Sequence, residues 1–237
     1  MKTAIVTRSD SRIKDMTDLT HPIIIDYANY CNSEFIVLSE DPPFLTDDGS
    51  SHYRILEVYD LLDTYDRILC LDSDMIITKE CPNIFDIVPY NSIGTIYEDK
   101  GSRKDDRRNK ILELQKRWNN VGWTEGYTNA GTFLISKCHK NIFLPHNNQY
   151  CLGDGSADLH LSYNIHKYGH KIHELDFKWN HMTMFSEEWN HYADRFKSYI
   201  IHYAGGGIFR NNNNAGETKL DQIKKDILYD KYTSTNT

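Results

Sequence analysis

The sequence predicts an α/β protein in which helices flank a mostly parallel central sheet. Short runs rich in β-branched and aliphatic residues recur along the chain, as at TAIVT (3–7), EFIVL (34–38) and TFLIS (132–136). Between them apolar residues return at the three-and-four spacing of amphipathic helices, and β-α-β-α-β order with short connections builds a parallel sheet. Several of these strands run into polar, acidic or glycine-containing segments. In open α/β sheets ligands bind beyond such strand ends.

The 237 residues suit one sizeable domain, residues 1–210, followed by a helical tail, residues 211–237, packed back on it. Lys and Arg total 27 against 34 Asp and Glu, a net charge of −7, which argues against a nucleic-acid or anionic-membrane surface. The five cysteines include no Cys-x-x-Cys pair and read as reduced thiols. The N-terminus turns polar too soon for a signal peptide, and no run approaches the ~18 apolar residues of a membrane-spanning helix. A soluble cytoplasmic protein is the expectation.

In order, a first strand at Thr3–Thr7 gives way to the polar Arg8, Ser9 and Asp10. A helix is expected over Ile23–Cys31, a second strand over Glu34–Leu38 and a Pro/Asp/Gly loop over 42–50. Ile55, Leu56, Val58, Tyr59, Leu61 and Leu62 predict a helix over Tyr53–Tyr65, and Ser92–Tyr97 a further strand. Glu98 to Asn109 is dense in both signs of charge, and Ile111, Leu114 and Trp118 give the helix that follows a narrow apolar stripe, so the region reads first as a solvated surface helix and second as a mobile charged flap over a site. Asn129-Ala130-Gly131 precedes the strand Thr132–Ser136. A helix over Leu159–Tyr168, a strand over Tyr199–Tyr203, an Asn-rich hinge at 211–214 and an amphipathic helix over Thr218–Tyr232 complete the chain.

The stretch Arg67 to Ile77, RILCLDSDMII, organises the rest. An apolar strand runs into Asp72-Ser73-Asp74, and carboxylates that close to apolar chain need a partner or a metal. Two aspartates at i and i+2 beyond a strand end can present oxygens to one hard divalent cation, which in turn can hold a diphosphate. A capped polar turn is the competing reading of these two residues alone.

Five motifs in order resemble the GT-A glycosyltransferases, in particular the glycogenin-like and bacterial lipopolysaccharide galactosyltransferase family: YRILEVYDLL, DRILCLDSDMII, TNAGTFLIS, DLHLSYNI and IIHYAGG. The resemblance covers the chain to about Arg210 and implies a single GT-A, Rossmann-like domain. It further implies a transferase that moves sugar from a nucleotide-sugar, UDP-sugar before GDP-sugar, to a glycan or glycoprotein hydroxyl, with retention favoured over inversion. Asp72, Asp74 and His202 would hold Mn²⁺ or Mg²⁺; an imidazole beside two carboxylates tilts the preference toward Mn²⁺.

Thr7 and Arg8 occupy the first-loop position for base and ribose, and Arg54 that of the family's basic residue near donor sugar or phosphate. Ser73, Gly205 and Asn129-Ala130-Gly131 join them around the donor. Asp158, heading the helix after the Gly153-Asp154-Gly155 turn, is similar to the family's acidic residue at the reacting carbon, with a helix-capping aspartate as the competing reading; if the reaction inverts, Asp158 or Asp154 is the candidate general base. The sequence departs from the family at Leu159, where Gln is frequent, and in lacking the lysine after the His-x-x-Gly segment; Arg210 and Lys219 are the substitutes. The acceptor side would draw on Trp118, Trp123, Tyr127 and Trp179 to Met184. Two other classes share features: a haloacid-dehalogenase-like, Mg²⁺-dependent phosphatase with Asp72 as nucleophile, and a non-catalytic nucleotide-sugar or glycan-binding module.

Overall fold

The computed structural model describes residues 1–40, 51–151, 157–185, 189–205 and 218–234. The expected 42–50 loop, the Gly-Asp-Gly turn with Asp154, Arg210 and the Asn-rich hinge lie outside the described residues.

Strands β1 (Thr3–Arg8), β2 (Glu34–Leu38), β3 (Arg67–Leu71), β5 (Ser92–Tyr97), β6 (Thr128–Ser136) and β7 (Lys171–Glu174) form one sheet in the order β2-β1-β3-β6-β5-β7. β1 pairs in parallel with β2 and β3, and β5 with β7; β6 runs antiparallel between β3 and β5. The sheet is therefore mostly parallel with one reversed strand. Its period-two alternation sends Ala4, Val6, Ile68, Cys70, Phe133 and Ile135 to one core, and Ile5, Leu69, Leu71 and Leu134 to another. Both faces are buried, which is why the strands read as continuous apolar runs. Helix α1 (Lys14–Tyr30) covers the second of these faces through Ile24 and Tyr27, and α5 (Asp158–Lys167) the first through Leu161 and Ile165.

A second sheet orders β4 (Met75–Ile77), β9 (Ile200–His202) and β8 (His181–Met182) as β4-β9-β8. The strand expected before Asp72 ends there, and the apolar run after it belongs to the second sheet, so Asp72-Ser73-Asp74 is the crossing from the first sheet to the second. Helix α6 (Lys219–Ser234) closes over this second sheet: Ile223, fully buried, joins Ile76, Ile201 and Tyr203, with Met16, Leu19 and Ile23 of α1 beside them. Asp226 of the same helix accepts from Tyr203 Oη at 2.6 Å and from two Arg195 nitrogens at 2.8 Å.

Several expected elements shift, each for a physical reason. Helix α1 begins at Lys14, well before Ile23, and runs through Pro22. Proline removes one backbone donor, but Met16, Leu19 and Ile23 keep the helical spacing across it. The expected helix over 53–65 is a 3-10 helix at Ser51–Glu57 followed by a short α2 (Val58–Leu61). Its apolar residues, at 55, 58, 61 and 56, 59, 62, repeat every three positions, the 3-10 period. After the short α3 (Ile84–Ile87), Gly94 of β5 sits where a Cβ would meet Val88 Cγ2 at 2.6 Å. Asn129-Ala130-Gly131 lies inside β6, not before it, and the short polar strand β7 carried too little apolar signal to be read.

Helix α4 (Lys104–Arg117) is a surface helix with a narrow buried stripe of Arg107, Ile111 and Leu114, and the correction is confined to Glu98, Asp99 and Arg107, which are buried. Arg107 grips Glu98 with two nitrogens at 2.9 and 3.1 Å, and Arg108 Nε lies 3.2 Å from Asp99.

Candidate active site

The sheet crossing fixes the two aspartates. Ser73 Oγ bonds Thr7 Oγ1 at 2.9 Å and donates to the Arg8 carbonyl, while the Ser73 carbonyl accepts from Thr20 Oγ1 at 2.7 Å. The Asp72 N–H donates to the Gly131 carbonyl at 3.0 Å, and the Asp74 carbonyl accepts from the Tyr203 N–H at 2.9 Å. Antiparallel pairing places Met75 opposite His202, so the imidazole arrives beside Asp74. His202 Nε2 lies 3.2 Å from Asp74 Oδ1 and 3.5 Å from Asp72 Oδ2. One ligand atom from each of the three residues lies within 4.8 Å of the others, a spacing that fits one metal ion.

A hydrogen-bond relay fixes which imidazole nitrogen faces the carboxylates. The Gly131 N–H donates to Asn129 Oδ1 at 2.9 Å, so that atom is the oxygen. The same oxygen accepts from Asn180 Nδ2 at 2.9 Å, which leaves Asn180 Oδ1 to accept from His202 Nδ1 at 2.8 Å. With Nδ1 committed to Asn180, Nε2 is the nitrogen that faces Asp72 and Asp74, the arrangement metal-ligating histidines use. Gly131 is required by proximity: a Cβ there would lie 2.8 Å from Asn129 Oδ1, 2.9 Å from His202 Cε1 and 3.1 Å from Asp72 Oδ2.

These groups line a cleft of about 550 Å³ with Arg8, Asp158, Glu98 and Lys219 among its walls. Arg8 pairs with Asp72 Oδ1 and donates to the His52 carbonyl at 2.8 Å; Lys219 Nζ reaches Asp74 Oδ2 at 2.5 Å. Burial alone would raise the Asp74 pKa, but His202, and then Lys219, outweigh it and hold the carboxyl well below the usual carboxylate range. Burial lowers Arg8 from its ordinary value, opposed first by Asp158. On the facing wall, burial and the negative Asp158 push Glu98 up to about 7 against the pull of Arg107.

The other residues expected around a donor divide into two groups. Arg8, Ser73, Asn129, Gly131 and Gly205 line the cleft, as does Asp158, whose Oδ1 accepts from the Ala130 N–H at 3.0 Å. Thr7 is fully buried behind it on Ser73. Ala130 turns its side chain into the core. Arg54 is buried and directed at the loop after β1, 3.1 Å from the Ser9 carbonyl and 3.0 Å from Asp10 Oδ2. Of the expected acceptor side, Trp123, Tyr127 and Trp179 are core residues and Trp118 stacks on His146, while Met182 and Met184 line the cleft as expected, joined by Phe185. Asn180 and the Glu98–Arg107 pair went unread in the sequence. The acidic pair Glu98-Asp99 after an apolar strand repeats the pattern of Asp72-Ser73-Asp74, and was the available signal.

No family model and no curated protein matches the sequence. Solved structures do match the fold. The bifunctional glycosyltransferase WbbM aligns at a TM-score of 0.57 and 16% identity, over 86% of this chain but only 46% of its own. A glycosyltransferase involved in glycosylating the major capsid of PBCV-1 aligns at 0.57 and 12% identity, over 96% of this chain and all of its own. The galactosyltransferase LgtC, solved with donor and acceptor sugar analogues, aligns at 0.53 and 14% identity, over 94% of both chains. This is the GT-A glycosyltransferase fold. In that GT-A frame Asp72 and Asp74 stand as an Asp-x-Asp pair at the end of a central strand, with His202 brought to them by the second sheet. No helix among the described residues is long and apolar enough to cross a membrane.

Proposed function

We propose that this protein is a metal-dependent glycosyltransferase that moves a sugar from a nucleoside-diphosphate sugar, UDP-sugar before GDP-sugar, to a hydroxyl of a glycan or glycoprotein. The observation that carries the reading is the convergence of Asp72, Asp74 and His202 Nε2, with His202 Nδ1 committed to Asn180, in a GT-A fold. Two carboxylate oxygens and one imidazole nitrogen suit Mn²⁺ better than Mg²⁺. The metal, when bound, neutralises charge developing on the departing diphosphate. Lys219 supports the same charge from α6 and fills the place of the lysine that the sequence lacks after His202; Arg8 does so from β1. Arg210 and Asp154 remain candidates for the phosphate and for the reacting carbon.

Asp158 faces the cleft from the start of α5, steadied by the Ala130 N–H. Retention is favoured over inversion, with Asp158 stabilising positive charge at the reacting carbon. Glu98 makes a poor general base because Arg107 and Arg103 already occupy its oxygens. The phosphatase alternative loses its support in the fold, and the pairing of Asp72 with Arg8 and its approach to His202 favour a ligand role over that of a free nucleophile.

A thermal-shift screen of nucleotide-sugars with and without Mn²⁺ tests the proposal. A donor at about 100 times its Kd is expected to raise Tm by on the order of 5 °C or more, and only with the metal. A screen in which no donor stabilises the protein, together with phosphoester turnover abolished by Asp72→Asn, would return the site to the phosphatase class.

A further inference from the structure

Each aspartate of the crossing divides its two oxygens between His202 and a side-chain cation. Asp72 Oδ2 and Asp74 Oδ1 face His202 Nε2 at 3.5 and 3.2 Å, while Asp72 Oδ1 pairs with Arg8 and Asp74 Oδ2 with Lys219 at 2.5 Å. Each of the two carboxylates is thus already matched by a side-chain cation. Carboxylate sites draw hard divalent cations largely by charge, and tune affinity by how much charge the ligands carry. A lone divalent ion entering here gains one nitrogen and two oxygens but meets carboxylates already paired with cations, and those two positive groups stand beside it. The side chains involved are mostly shielded from solvent, Arg8 at 11% and Asp74 at 14% exposure, so salt screens this opposition little.

The two cations come from different parts of the chain, Arg8 from the end of β1 and Lys219 from the first turn of α6, and both line the cleft beside the aspartates. A diphosphate entering that cleft brings the negative charge the ligand set lacks, and offers oxygens to the same two side chains. We infer that Arg8 and Lys219 make metal binding conditional on a diphosphate: they weaken the site for a lone divalent cation and strengthen it for the cation together with a nucleoside diphosphate. The inference rests on the reading of the cleft as a nucleotide-sugar site, and it gives that site an order of events. Metal and nucleotide arrive as a pair and leave as a pair, because by linkage each raises the affinity of the other by the same factor.

Titration of Mn²⁺ into the full chain, followed by the spectrum of the free ion, tests this with Mn²⁺ alone and with UDP or GDP present. In the wild type, one of the two nucleotides is expected to tighten Mn²⁺ binding at least about tenfold. Arg8→Gln and Lys219→Gln should bind Mn²⁺ alone about three- to tenfold more tightly, the opposite of the effect of removing a ligand, and should lose most of the nucleotide's enhancement. Arg8→Lys and Lys219→Arg keep the charge and should stay near the wild type. Glutamine variants that bind Mn²⁺ alone no more tightly, or that keep the full enhancement, contradict the coupling while leaving the site reading intact. A wild type that binds neither nucleotide in the presence of Mn²⁺ contradicts the site reading itself. Lys219 sits at the start of a helix with 26% of its side chain exposed, so Lys219→Gln carries the test if Arg8→Gln does not fold.

Discussion

Two strands of the central sheet end in acidic pairs, and the molecule treats them in opposite ways. After β3, Asp72 and Asp74 meet an imidazole and one cation each, with Arg8 and Lys219 reaching in from β1 and α6. After β5, Glu98 and Asp99 are closed off. Glu98 is held by Arg107 and Arg103, and Asp99 by Arg108 and the backbone N–H groups of Gly126 and Tyr127 at 3.1 and 2.9 Å. Both pairs therefore have their oxygens engaged, and they differ in the kind of partner: an imidazole and one cation each for the first, guanidinium and backbone N–H groups for the second. The two pairs are also connected, because Asn129 bonds Glu98 as well as holding Asn180, which orients His202.

The largest effect expected from this contrast is on stability. Arg107→Ala leaves Glu98 buried without its two-pronged partner and removes a guanidinium lying 5.0 Å over the Tyr127 ring. The cost should be about 3 kcal/mol at pH 8, read by urea unfolding. It should shrink toward pH 5, since a Glu98 deprived of its cation takes up a proton instead of staying charged. Even with Arg107 present, burial holds Glu98 at about 7, above its ordinary 4.5. The native state thus keeps a proton there that the unfolded chain releases, and this group's contribution falls as pH rises between those two values. A cost independent of pH would mean that Glu98 is not the group left behind.

A smaller stability effect, but a large one on ligands, is expected at the other pair. Gly131→Ala drives a methyl against Asn129 Oδ1, His202 Cε1 and Asp72 Oδ2. Overpacking of this kind costs about 1–3 kcal/mol. Because it separates His202 from Asp72 and disturbs the relay, Mn²⁺ affinity in the presence of nucleotide should fall about 10- to 100-fold. Unchanged affinity in a variant that has lost stability would show that the relay does not orient the imidazole.

Much of this was legible in the sequence. The β-branched and aliphatic runs marked β1, β2 and β5 nearly to the residue: in β1 and β5 both faces are buried and no polar face interrupts them, while the part-exposed edge strand β2 was marked by its composition alone. The convergence of Asp72, Asp74 and His202 followed from ordered motifs. Illegible were features that depend on a partner distant in sequence. Nothing in Arg107 distinguishes it from its exposed neighbours until Glu98 is folded beneath it, and Asn180 gains its part only when β8 brings it beside His202. The aromatic residues were ambiguous for the converse reason: Trp123, Tyr127 and Trp179 suit a sugar-stacking surface or the core equally in the sequence, and the core claimed their apolar area.

The most direct test of the central claim, that Asp72, Asp74 and His202 hold a metal for a nucleoside diphosphate, is a calorimetric titration of UDP and of GDP into the protein with and without Mn²⁺. One nucleotide is expected to bind only when Mn²⁺ is present, and Asp74→Ala and His202→Ala should each remove that binding while the protein stays folded. Binding of equal strength without metal, or binding that survives both substitutions, would contradict it.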